Sequence, residues 1–345
     1  MAKLFFLVSG EHETLPFSEL TAILEAEGFK YRIIEKSIQA IRLEAEPKCV
    51  EAIASRAALT RVCALEIMKC KADYAEIIRK LSQAPLENFI RPSEEFVVRI
   101  KRVAGSAKHL STMQLERKIG EITLNKVAES KVNLFSPQKI FFGILTQNSF
   151  IFGLKLKEIE TKSFTQRRPK NKPFFHPSAM PPKLSRCMVN LARPKANDLF
   201  LDPFCGTGSL LIEAKLIGCR TIGCDAKRLM INGTRKNMKF YGLEPEGLAV
   251  ADARKPPFKY ANCVATDPPY GRSATTMGLT TKEIVRDSLN ALLDVIPRKG
   301  HVCMAAPKTV GIGMIGRELG YRHLESHFVY VHRSLTREIA VFERP

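Results

Sequence analysis

Asp198-Leu199-Phe200-Leu201, then Asp202-Pro203-Phe204-Cys205-Gly206-Thr207-Gly208, then an apolar stretch over 209–217, reads as a buried strand, a tight turn with two glycines and the opening of a helix. The cadence continues downstream. Short apolar runs at 221–224, 247–250, 263–266 and 301–305 are separated, for the most part, by helical stretches at 226–241, 281–296 and 311–320. Strand alternating with helix predicts an α/β, Rossmann-like, mostly parallel and doubly wound sheet covered on both faces; an antiparallel C-terminal hairpin is expected to complete it. Open sheets of this kind bind ligands beyond the carboxyl ends of their strands. Four successive predicted strands carry an acid there: Asp202, Asp225, Asp252 and Asp267.

The first turn lets backbone approach a ligand at Gly206 and Gly208 and opens a helix. A dinucleotide loop of the G-x-G-x-x-G kind would place a third glycine where Leu211 stands, so a nucleoside without a pyrophosphate fits better. S-adenosyl-L-methionine is such a molecule. Asp202 is placed to accept from its ammonium, loop amides to meet its carboxylate, Asp225 to reach the ribose hydroxyls, and Asp252, followed by Ala253, to accept from the adenine amine. Capping of the following helix is the bland alternative for each acid.

Asp267-Pro268-Pro269-Tyr270 follows the fourth run. An exocyclic amine on a nucleobase is a poor nucleophile because its lone pair is delocalised into the ring. Two acceptors, the Asp267 carboxylate and the Pro268 carbonyl, can hold both amine hydrogens and turn the lone pair toward a methyl sulfonium. The prolines restrict the direction of that carbonyl, and Tyr270 offers a stacking face for the base.

The remaining 196 residues are less explicit. Residues 1–58 read as a small α+β unit with strands at 3–8, 31–35 and 40–44 and a helix over 17–28. Residues 59–157 carry a strand at 96–101, a helix over 114–128 and strands at 132–134, 139–145 and 150–156, the last two joined as a hairpin through Gln147-Asn148-Ser149. Residues 158–182 hold five prolines and read as a basic linker, ahead of the final domain at 183–345 and its amphipathic helix over 183–192. Phe174-Phe175-His176-Pro177 is open to two readings, a lid on an adenine or a hydrophobic staple.

Lys and Arg number 54 against 35 Asp and Glu, a net charge of +19 that favours a polyanion. Between Lys155 and Lys195 eleven positive residues face only Glu158 and Glu160, and Arg167, Arg168, Lys170 and Lys172 are expected to contact phosphates. The 9 cysteines contain no C-x-x-C pair and the 7 histidines show no ligand spacing, so neither disulfides nor a metal are expected. No apolar run approaches the ~20 residues of a membrane span, and the expected setting is cytoplasmic.

The glycine loop resembles the first motif of class I methyltransferases, and Asp267-Pro268-Pro269-Tyr270 the fourth motif of those that modify nucleobase amines. Through these motifs, together with Phe174-Phe175-His176-Pro177, Met180-Pro181-Pro182 and Gly271-Arg272-Ser273, the chain is similar to archaeal tRNA guanosine N2-methyltransferases acting on guanosine-10 of the D-arm. That resemblance implies a ferredoxin-like domain and a THUMP domain ahead of the catalytic one, with Val97-Val98-Arg99-Ile100-Lys101-Arg102 and Ile119-Gly120 carrying the THUMP likeness. It implies tRNA as partner, no DNA, and a target base that leaves its stack to reach Asp267; the oligomeric state is not legible in the sequence, and a monomer is the expectation. Two other readings stay open: an amino-methyltransferase of rRNA or of DNA adenine or cytosine, and a noncatalytic tRNA-binding protein.

Overall fold

The computed structural model describes residues 1–270 and 278–345. They form two compact units, one of Met1–Phe17, Gly28–Ala54 and Thr60–Glu160, the other of Ser18–Glu27, Ser55–Leu59 and Thr161–Pro345.

The first unit is built on one sheet, eight-stranded among the described residues. Its strands are β1 (Ala2–Val8), β2 (Tyr31–Ser37), β3 (Ala40–Ala45), β4 (Thr60–Lys71), β5 (Glu95–Arg102), β6 (Lys131–Val132), β7 (Lys139–Thr146) and β8 (Ser149–Glu158), in the order β2-β3-β1-β4-β8-β7-β5-β6. Helices α1 (Leu15–Ala26), α2 (Cys49–Arg56), α3 (Tyr74–Gln83) and α4 (Thr112–Lys126) occur in the same stretch of chain. Ile77 and Leu81 of α3 and Leu115 and Ile119 of α4 pack on Phe96, Phe141, Phe150 and Phe152 of the sheet. Each such buried ring contributes on the order of 1.5–3 kcal/mol. The expected hairpin turns on two residues, with Thr146 opposite Ser149 and Gln147 at φ 47°. The strand expected at 132–134 shrinks to Lys131–Val132, and Leu134 is exposed.

β4 was not among the strands read from the sequence, although it pairs with β1 on one side and β8 on the other and so carries one sheet through the whole unit. Val62-Cys63-Ala64-Leu65 is an unbroken apolar run; Val62, Cys63 and Ala64 are all buried, so both faces of the strand are covered there and it need not alternate.

The second unit follows the expectation closely. Strands β9 (Leu199–Asp202), β10 (Arg220–Asp225), β11 (Gly247–Val250), β12 (Cys263–Thr266), β13 (His301–Pro307), β14 (Arg322–His332) and β15 (Leu335–Glu343) lie in the order β11-β10-β9-β12-β13-β15-β14. The first five are parallel; β15 and β14 close the sheet as an antiparallel hairpin. Helices α5 (Lys162–Gln166), α6 (Pro182–Leu191), α7 (Ser209–Leu216), α8 (Arg228–Phe240), α9 (Thr281–Leu292) and α10 (Ile312–Glu318) belong to it. The chain leaves β9 toward β10 on one side and returns to β12 on the other, so a crevice opens between the carboxyl ends of β9 and β12.

Two expectations need correction. α6 is buried on every side from Ser185 to Leu191, rather than amphipathic. Its polar residues are matched from within: Asn190 Nδ2 donates to Glu19 Oε1 at 2.9 Å, and Arg186 pairs with Glu213 at 2.8 Å. Glu19 also accepts from the amides of Ala58 and Leu59. The segment after Glu160 is likewise no free linker, since Phe164, Lys172 and Met180 are all buried.

Candidate functional site

The crevice is a cavity of about 940 Å³ lined by the first glycine loop, by Asp225, Asp252 and Ala253, by Asp267-Pro268-Pro269-Tyr270, and by Arg337. Local structure explains the loop. Gly206 and Gly208 stand at φ 51° and 79°, and a Cβ on Gly208 would lie 2.9 Å from Thr234 Cγ2, so both conformation and space call for glycine. Two side chains of α8 hold the loop carbonyls: Thr234 Oγ1 donates to Gly206 O at 2.8 Å and Asn237 Nδ2 to Thr207 O at 2.9 Å. On the other flank, Cys205 N donates to Cys224 O at 2.9 Å. Pro203, Cys205 and Thr207 are buried in consequence, and Phe204 is half-buried.

The four acids differ in state. Asp202 is buried and accepts from Thr266 Oγ1 at 2.7 Å and from Phe204 N at 3.1 Å; burial pushes its carboxyl up to about 7. Asp225 accepts from Gly206 N at 3.1 Å and Lys227 N at 2.9 Å, and desolvation again raises it. Asp252 is tied to its neighbour Arg254 at 2.6 Å, which lowers it. Asp267 is raised to about 6, mainly by burial, against the pull of Arg337. Its Oδ1 is buried without a hydrogen-bond partner among the described residues. An orphaned acceptor costs roughly 1–3 kcal/mol, and Asp267 is among the residues that line the cavity.

Arg337 was not read from the sequence. It is only 9% exposed, lies on β15 opposite Pro307 of β13, and donates from Nε to Tyr270 Oη at 2.7 Å. Its Nη2 contacts the same oxygen and sits 3.4 Å from Asp267 Oδ2. No motif marks it, because its partners are 67 and 70 positions away in sequence. Thr234, Asn237 and Thr266 escaped for the same reason. The continuation Gly271-Arg272-Ser273 lies outside the described residues.

The basic stretch divides. Arg168 and Lys170 are exposed. Arg167 donates to Glu213 at 2.7 Å, and Lys172, only 7% exposed, donates to Ser209 Oγ at 3.0 Å, with burial lowering its ammonium to about 8. The expectation of phosphate contacts is therefore corrected for Arg167 and Lys172, whose charge is spent inside the unit. Phe174 resolves toward the staple: its ring covers Gly233 of α8, and its amide and carbonyl both bond to Asn237. Phe175 is exposed, while His176 and Pro177 line the cavity.

Comparison with known proteins agrees with this geometry. The RMKL-like methyltransferase domain model matches residues 169–337, and a DNA methylase model matches 89–236, ending short of the Asp267 loop. The tRNA (guanine(10)-N2)-dimethyltransferase of Methanothermobacter thermautotrophicus is 35% identical, covering 99% of each chain. The chain belongs to the tRNA (guanine(10)-N2)-dimethyltransferase family. A second member, from Methanocaldococcus jannaschii, is 31% identical over 98% of this chain and 99% of its own. The crystal structure of TrmN from Thermus thermophilus superposes with a TM-score of 0.54 over 99% of this chain and 100% of that one, at 18% identity, which shows the methyltransferase fold.

Proposed function

We propose that this chain transfers methyl groups from S-adenosyl-L-methionine to the N2 amine of guanosine-10 in the D-arm of tRNA. The observation that carries the reading is Asp267, whose Oδ1 is unpartnered among the described residues and which lines the same cavity as the glycine loop, in a chain that matches guanosine-10 N2-dimethyltransferases over nearly its full length. The residues present suit the cofactor. Asp202 and the amides at the start of α7 would hold its amino-acid end, Asp225 its ribose, and Asp252 with Ala253 its adenine. When bound, S-adenosyl-L-methionine supplies a methyl group on a sulfonium, an electrophile that needs no metal.

The protein's part is orientation. Asp267 Oδ1 and the Pro268 carbonyl each take one hydrogen of the amine, which frees its lone pair from the ring, and Tyr270 stacks on the base. The carboxylate of Asp267 receives the proton that the amine loses. The relatives are dimethyltransferases by name; a second transfer requires the methylated amine to rotate and present its remaining hydrogen to the same acceptors.

The first unit is assigned to tRNA binding, with 1–58 as a ferredoxin-like part and 59–157 as a THUMP-like part, supported by exposed Arg99 and Lys101 on β5. Arg168 and Lys170 add phosphate contacts. All 9 cysteines are buried and unpaired, in keeping with a reducing cytoplasm.

The test is transfer of labelled methyl to an unmodified tRNA transcript, with the product nucleoside identified by mass. N2-methylguanosine and its dimethyl form are expected, with kcat/KM lowered roughly 10²–10⁴-fold in Asp267→Ala while S-adenosyl-L-methionine still binds. Transfer to rRNA or DNA in place of tRNA would move the substrate assignment.

A further inference from the structure

The acceptor loop explains how an amine is held, but not why that amine belongs to guanine. The adenine N6 amine offers the same two hydrogens. Discrimination needs a second group that reads the rest of the base edge, and the cavity holds one. The guanidinium of Arg337 uses Nε and Nη2 on Tyr270 and Asp267, and none of these contacts involves Nη1. Arg337 is among the residues lining the cavity. Among the described residues, an acceptor without a partner, Asp267 Oδ1, and a donor without one, Arg337 Nη1, therefore belong to two side chains 3.4 Å apart at their contact.

We propose that Arg337 donates from Nη1 to guanine O6 while Asp267 accepts from the N2 amine, so that the pair selects guanine over adenine. This rests on the assignment of guanosine as substrate. On one edge guanine presents an acceptor, O6, and two donors, N1–H and N2–H. A donor beside an acceptor is the complement of that edge. With its N6 amine on Asp267, adenine presents C2–H where guanine presents O6, and Nη1 is left without an acceptor. Buried polar groups left unpaired are what make such sites reject an analogue. Arginine suits the task because its planar fork spans partners in fixed directions, whereas a lysine is a single point charge. The position is enforced by the fold: β15 runs antiparallel to β13 and brings Arg337 opposite Pro307 at the carboxyl end of the parallel strands.

The experiment compares kcat/KM on two tRNA transcripts, one with guanosine and one with 2-aminopurine at the target position. The analogue keeps the N2 amine and lacks O6. The wild-type enzyme is expected to prefer guanosine by roughly 5- to 150-fold, the range of one good base contact. In Arg337→Gln the preference collapses to within about 3-fold. Any change in the cost of extruding the analogue from its helix is common to both enzymes and cancels. Arg337→Lys, which keeps a cation beside Asp267, retains a partial preference and supplies the ratio should the glutamine variant be unstable. A ratio unchanged from wild type in both variants overturns the inference, leaving Arg337 as a support for Tyr270 only. No transfer to guanosine by the wild type would instead fail the substrate assignment, and the inference with it.

Discussion

Asp202 and Asp267 are both held as carboxyls in a dry place, and that has a stability consequence. An unfolded aspartic acid titrates near 3.9, whereas Asp202 titrates at about 7 and Asp267 at about 6 in the folded chain. The native state therefore binds more protons than the unfolded chain between about pH 4 and 7, and these two residues make stability fall as pH rises through that window. Asp202→Asn keeps an oxygen to accept from Thr266 and Phe204 and removes the ionisation. Its melting temperature at pH 8 is expected to exceed that of wild type, with the difference shrinking toward pH 5, while binding of S-adenosyl-L-methionine weakens. Calorimetry at the two pH values decides it, and a variant less stable at pH 8 would show that the ionised carboxylate is stabilising. Methyl transfer should also decline below about pH 6, as Asp267 takes up a proton and ceases to be an acceptor. Of these residues the acids were legible in the sequence, each at the end of an apolar run. Arg337, which meets Asp267 and Tyr270, was not, because a single arginine in a strand looks like any surface charge until its partners are known.

At the scale of elements, α8 braces the site. Thr234 and Asn237 hold the carbonyls of the glycine loop, and Phe174 seats its ring on Gly233, where an added Cβ would come within 2.0 Å of it. Gly233→Ala is expected to expel that ring, cost about 1–3 kcal/mol as overpacking does, and loosen the loop through Asn237. The measurable result is a lower denaturation midpoint together with weaker binding of S-adenosyl-L-methionine; a loss of stability alone would detach Phe174 from the site. The alternation of strand and helix from β9 to β13 could be read from the sequence because parallel strands covered on both faces are short and uniformly apolar. β4 and α6 were misread for related reasons. A strand covered on both faces, as β4 is at Val62–Ala64, loses its two-residue period, and a helix with Arg186 and Asn190 looks amphipathic when its polar groups are in fact satisfied by Glu213 and Glu19.

For the whole molecule, the net charge of +19 is the term that should govern affinity for tRNA. Binding should weaken steeply with salt, linearly on logarithmic axes, as condensed counterions are released. Arg168→Glu with Lys170→Glu is expected to raise KM for tRNA and make that slope shallower, leaving the dissociation constant for S-adenosyl-L-methionine unchanged. Arg167→Glu should behave differently: it places a carboxylate against buried Glu213 and destabilises the fold. A titration series at increasing salt, run beside thermal melts, separates the two; equal salt slopes for the double variant and wild type would remove Arg168 and Lys170 from the RNA surface.

Four features were legible from the sequence alone: the class of the second unit, the four acids at its strand ends, the glycine loop and the Asp267-Pro268-Pro269-Tyr270 tetrapeptide. Each of these is local, a matter of residue type and short-range spacing. Folding settled the rest: which charges face outward and which are consumed within, that β4 makes the first unit one sheet, and that Arg337 meets Asp267 and Tyr270. Those outcomes depend on strand order and on partners far apart in the chain, and burial, which sets the state of every acid and base in the site, exists only once the chain has closed around them.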